Sequence, residues 1–182
     1  APLLAASLTR DPVLVAGMSF AHTLPWLLFS LISGALVDRL DRRRIMGLVD
    51  VFRAALVGLL GVAVLLDWAS ISLLFAVFFL LGTAETLFDN ASLAILPAVV
   101  PKERLEMANG RLTAAQLLTN EFAGQPLGGF LFAAFAALPF LVNAGSFAAA
   151  AAFVLALRGR FRIPRDEGAP ATTLLDEIRE GL

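Results

Sequence analysis

Between residues 38 and 44 the chain reads Asp38-Arg39-Leu40-Asp41-Arg42-Arg43-Arg44, a cluster of charge wedged between two apolar runs that are each long enough to cross a bilayer. No other stretch limits the fold as much. Four arginines in so short a connection cannot lie in hydrocarbon, so the flanking segments form a helical hairpin whose joined ends sit in water. Loops rich in arginine are retained on the inner side of a membrane, which predicts that this end faces the cytoplasm.

Composition agrees. Of the 182 residues, 59% are apolar, well above the roughly 45–50% of soluble domains. Four runs meet the criterion of about 20 mainly apolar residues for a spanning helix: 13–37, 45–66, 68–96 and 138–157. A fifth span is expected over 105–134, polar in its first half and rich in glycine in its second. The expected class is all-α, a polytopic bundle of membrane helices in a lipid bilayer. Residues 1–9 are too few to cross and lack the basic start and cleavage site of a signal peptide. They read as the outer end of a first helix. There is no cysteine and a single histidine, His22, so disulfides, thiolate sites and histidine-rich metal sites are not expected. Nothing calls for a cofactor or for nucleic acid.

The basic residues alternate by loop. Arg39, Arg42, Arg43 and Arg44 lie in the first connection, Lys102, Arg104 and Arg111 in a later one, and Arg158, Arg160, Arg162 and Arg165 follow the last span. The turns around Asp67 and Leu138-Pro139 hold none, and Arg10 is the exception. The charged loops are therefore expected in the cytoplasm of a cell that carries this chain in its plasma or inner membrane. Trp68 suits the opposite interface. Residues 158–182 are expected to form a cytoplasmic linker followed by an amphipathic surface helix that leads into a further span.

An ionisable side chain in a bilayer costs on the order of 2.5–3.5 kcal/mol on insertion scales, so it faces protein or water and finds a partner. Asp50 and Arg53 are three residues apart on the third helix, Glu85 and Asp89 four apart on the fourth, and the fifth carries Arg111 and Glu121. Four carboxylates against two guanidinium groups leave one acid protonated or matched by an arginine elsewhere. Two acids one turn apart in a poorly solvated site disfavour double ionisation, which is the chemistry of proton loading. The bland reading makes Asp50 with Arg53, and Asp89 with Arg111, static struts. Asn109, Thr113, Gln116, Asn120 and Gly124 follow one face of the fifth helix. They line a water-filled substrate cavity or serve as hydrogen-bonding glue between helices. Gly124, Gly128 and Gly129 are expected to pack closely on a partner helix, and Pro126 to kink its own. His22 is a proton shuttle or a structural histidine, and Trp26 a cavity wall or a packing contact.

The loop that begins at Gly34 resembles the signature between the second and third helices of major facilitator superfamily transporters, with Asp41 where that family has glycine. Leu81 to Ala91, Leu96-Pro97, Val100-Pro101 and Ala108-Asn109-Gly110 look like the fourth and fifth helices of the bacterial branch that exports multiple drugs and siderophores, including the enterobactin exporter and macrolide efflux proteins. Gly124-Gln125-Pro126-Leu127-Gly128-Gly129 is similar to the family's antiporter motif. The resemblance implies the amino-terminal six-helix half of a secondary transporter, whose site lies between two halves. It implies a small amphipathic substrate, proton-coupled efflux and a missing carboxy-terminal half as partner. By matched positions, Gly34 would let the second helix approach the other half, Asp38 would meet a helix dipole there, and Arg39, Arg42 and Arg43 would brace the latch. The other class is a half-size membrane protein that acts in assembly. No nucleophile motif or metal cluster points to an enzyme.

Overall fold

The computed structural model describes residues 2–157, without the side chains of Pro2, Asp38, Ala98, Val99 and Glu121. The linker and amphipathic helix expected over 158–182 lie outside the described residues. The described residues are helical apart from short connections: α1 (Pro2–Leu8), α2 (Pro12–Arg39), α3 (Arg42–Leu65), α4 (Ile71–Val99), a 3-10 turn (Lys102–Arg104), α5 (Leu105–Leu117), a π-helical segment (Leu118–Gly124), α6 (Gln125–Ala134) and α7 (Leu138–Ala156). Among the described residues, α2, α3, α4 and α7 are long and apolar enough to cross a membrane. Large apolar side chains such as Phe130, Phe153 and Trp68 stand about three-quarters exposed. That is an outward surface suited to lipid and not to water.

Helix starts follow from local chemistry. Asp11 caps α2 by accepting from the Val13 N–H, with Pro12 in the first turn, and Ser70 caps α4 by accepting from the Leu73 N–H. These side chains satisfy donors that the first turn leaves bare. The cap at Ser70 also explains why α4 begins at Ile71 and not at 68. The α3–α4 turn closes as a Schellman motif, in which the Trp68 N–H bonds the Ala63 carbonyl and the Asp67 N–H bonds that of Val64. Its left-handed position, usually glycine, is occupied by Asp67 with φ of 55°.

The charged connection is tighter than the sequence implies. α2 runs through Arg39 and α3 starts at Arg42, leaving Leu40 and Asp41 between them. Asp41 caps α3 through the Arg44 N–H. Three arginines in a first helical turn oppose the helix dipole. Two of them reach away to carbonyls near the ends of other helices: Arg42 Nη1 donates to Ala94 O at 2.7 Å and Arg43 Nη2 to Leu155 O at 2.6 Å. The loop thus draws the ends of α4 and α7 together at one end of the bundle.

In the packing, α2 lies on α4, α3 on α7, and α3 also on α4. One apolar cluster joins Met18, Val57, Leu60, Leu74, Val77 and Phe140, and a second, nearer the arginine loop, joins Val37, Ile45, Val49, Ala84 and Ala91. The fifth span differs from a plain kinked helix. Its middle is a π turn, and Pro126 falls in the first turn of α6. Proline has no N–H for the carbonyl four residues back and crowds it, so the chain upstream closes in wider turns. Gly124 fits that closure, since a Cβ there would lie 2.8 Å from the Thr119 carbonyl oxygen.

Candidate functional site

Arg53 lies eleven residues into α3, about 16 Å along the helix at 1.5 Å per residue, near the mid-depth of a hydrocarbon layer about 30 Å thick. It is 7% exposed and Asp50 1%. Its Nη1 stands 3.5 Å from Asp50 Oδ1, while Asp50 Oδ2 is buried without a hydrogen-bond partner among the described residues. The guanidinium carbon is 4.8 Å from the ring centroid of Phe88 on α4 and 5.4 Å from that of Phe147 on α7. Both aromatic faces attract the cation, so Arg53 ties three helices at one level.

Glu85 and Asp89, one turn apart on α4, flank Phe88, whose ring meets Arg53. The expected strut between Asp89 and Arg111 does not form. Arg111 is exposed on α5, whose main contacts are with its own neighbours in the chain.

His22 supplies a partner that spacing along one helix could not reveal. Its Nε2 stands 3.1 Å from Glu85 Oε2, with the two side chains 39% and 48% exposed. The pair bridges α2 and α4 and opens onto a face, unlike the sealed Asp50–Arg53 pair. The His22 ring also lies 6.1 Å from that of Phe78, tilted. The site is thus a connected set: His22, Glu85, Asp89, Arg53 and Asp50, three acids to one arginine and one imidazole.

A further tie was missed by sequence reasoning. Asn90 Nδ2 donates to Ser33 Oγ and to the Ser30 carbonyl, again joining α2 to α4. The available signal was depth, since these residues lie at similar distances back from the ends of their helices.

The remaining expected residues do not join this set. Trp26 is exposed, as are Asn109, Thr113, Gln116 and Asn120. Asn120, Gly124, Gly128 and Gly129 instead line a groove of about 670 Å³ whose other wall includes Leu3 and Phe140. No neighbour lies within 4 Å of a Cβ placed on Gly34, Gly128 or Gly129, so the close packing expected of the last two is not made among the described residues. The side chains of Asp38 and Glu121 lie outside the description.

The family model described as transmembrane secretion effector, a major facilitator type, matches residues 1–182. The chain is similar to an uncharacterized MFS-type transporter, YfiS of Bacillus subtilis (strain 168), with 28% identity over 187 aligned positions that cover 99% of this chain and 42% of the relative. It therefore spans less than half the length of that curated relative. No solved structure matches it. With a helical bundle of membrane-spanning segments and a match along its whole length, the chain belongs to the transmembrane secretion effector family of the major facilitator superfamily.

Proposed function

We propose that this chain is the amino-terminal half of a secondary transporter that exports a small amphipathic molecule, of drug or siderophore character, in exchange for protons by alternating access. The observation that carries the reading is the His22–Glu85 pair, 3.1 Å apart and open to one face. Without a proton on the pair, Asp50, Glu85 and Asp89 against Arg53 leave two negative charges. One proton held between His22 Nε2 and Glu85 Oε2 leaves one. Within a membrane that difference changes which side the cluster is best exposed to, and a ligand shifts such an equilibrium only by binding the two states unequally.

The arginine loop faces the cytoplasm of the plasma or inner membrane in this reading, by the positive-inside rule. Gly34 and Asp38 meet a helix of the carboxy-terminal half and hold the outward-facing state. The bonds from Arg42 and Arg43 to the ends of α4 and α7 support such a latch by making the loop part of a stiff end plate. Gln116 and Asn120, with the face they share, border the cavity between the halves.

The test uses the complete transporter in proteoliposomes under an imposed pH gradient, with ethidium as the amphipathic probe. Efflux is expected to collapse with a protonophore and to lose its response to the gradient in Glu85→Gln, with Glu121→Gln measured alongside. Gradient-driven efflux that persists unchanged in both variants sinks the proposal.

A further inference from the structure

We infer that Gly82 is the positioning residue that holds His22 within reach of Glu85. The inference rests on the reading of that pair as the proton site. Gly82 is buried on α4, one turn before Glu85. A Cβ placed on it would run into the backbone carbonyl of His22. The obstacle is main chain, not the tip of a side chain, so no rotamer change relieves it. Only separation of α2 from α4 does.

The consequence falls on the pair. Helix axes pack 8–10 Å apart according to the side chains at the contact, so a methyl group at the crossing point moves them by roughly 1–2 Å. The His22–Glu85 contact is 3.1 Å, and a gap of that size carries it beyond hydrogen-bond range. The Asn90 bonds to Ser30 and Ser33 tie the same helices about two turns nearer the arginine loop. With that end held, the displacement is concentrated at the level of Gly82. Within α4, Thr86 Oγ1 donates to the Gly82 carbonyl at 2.9 Å and keeps its own side chain out of the crossing.

The charged surroundings of the pair are few. Glu85 faces His22 from α2, has Asp89 one turn on along α4, and feels Arg53 from α3, which is itself paired with Asp50. α1 and α7 contain no ionisable side chain. The imidazole is therefore the direct partner whose distance Gly82 controls.

The test is infrared difference spectroscopy against pH on the complete transporter in lipid, with no substrate present. Glu85→Gln identifies the Glu85 carboxyl stretch by removing it. In His22→Leu that stretch is expected to rise in frequency as the carboxyl loses its imidazole donor, and Gly82→Ala is expected to reproduce the rise. Spin labels at exposed Phe20 and Leu80, level with the crossing, should report a lengthening of about 1–2 Å in Gly82→Ala, the separation that a methyl at the crossing demands. A second variant covers the case in which Gly82→Ala fails to fold: Glu85→Asp retracts the carboxyl by one methylene and leaves the crossing untouched. Its carboxyl stretch should no longer respond to His22→Leu. A folded Gly82→Ala protein with an unmoved Glu85 stretch overturns the inference, as does a carboxyl stretch in Glu85→Asp that still responds to His22→Leu. Transport indifferent to a protonophore sinks the proton-coupling proposal alone, because the infrared and spin-label readings report geometry and need no transport.

Discussion

Replacing Arg53 with leucine removes the guanidinium group of the buried Asp50–Arg53 pair, and the structure fixes what is lost. Asp50, 1% exposed, keeps its place with no counter-ion on either oxygen, since Oδ1 has lost Arg53 and Oδ2 had no partner among the described residues. Breaking a buried ion pair from one side costs about 3–5 kcal/mol. The stacking on Phe88 and Phe147 adds about 1 kcal/mol or more in a desolvated setting. An expected loss of about 4–6 kcal/mol follows, a large part of the 5–15 kcal/mol that typically separates folded from unfolded protein. Asp50→Asn tells a different story. It gives up one contact at 3.5 Å and leaves Arg53 between two rings and near Asp89, for about 1 kcal/mol. The double variant Asp50→Leu/Arg53→Leu should recover most of the single-variant loss, because apolar replacement of a whole buried pair is often neutral or better. The assay is reversible denaturation of the purified complete protein in detergent, with the three variants beside the parent. If Arg53→Leu lies within about 1 kcal/mol of the parent, water reaches Asp50 and the pair is not sealed. If single and double variants are equally damaged, the aromatic contacts carry the loss and the orphaned acid does not.

Three further outcomes are expected. Asn90→Ala should lower stability by about 0.6–2 kcal/mol in the same denaturation assay through loss of the bonds to Ser30 and Ser33; Ser33→Ala should cost less, because the Ser30 carbonyl remains as an acceptor. Asp67→Gly should raise stability by about 0.5–1 kcal/mol, since glycine takes φ of 55° without the strain that a side chain brings, and an unchanged or lower value would show that the turn is not left-handed in the membrane. Gly47→Ala should be far milder than Gly82→Ala: the atoms nearest a Cβ at Gly47 belong to the movable Leu155 side chain, the first at 2.5 Å, and comparable loss of folded yield in the two would refute the distinction between side-chain and backbone obstacles.

What the sequence disclosed most directly were features that depend on one helix at a time. Apolar length marks α2, α3, α4 and α7 without knowledge of their neighbours, whereas the caps at Asp11, Asp41 and Ser70, which set the starts of the first three, were not anticipated. The Asp50–Arg53 pair was legible because its members share a helix face at a spacing of three. The π turn was not. Gly124 and Pro126 announce an irregularity, but whether the chain answers with a kink or with wider turns depends on where the displaced carbonyls find donors.

Pairings between helices were hidden because a helix apolar on all sides has no stripe to fix its rotation. α2 illustrates the point: His22, Ser30 and Ser33 sit among leucines, phenylalanines and alanines, and no period distinguishes the face that meets α4. The same blindness produced the error at Asp89, where two opposite charges near the ends of consecutive helices were matched although α5 does not pack on α4 to bring them together. Polar atoms supply the missing rotation. Once Gly82 is taken as the place where α4 can touch another backbone, Glu85 and Asn90 follow at three and eight residues beyond it, and the helix that meets Gly82 must offer an imidazole and hydroxyls at matching depths. Only α2, with His22, Ser30 and Ser33 in that order, does so among the spanning helices. Small and polar residues therefore specify how these rods meet, and the apolar majority specifies only that they lie in the membrane.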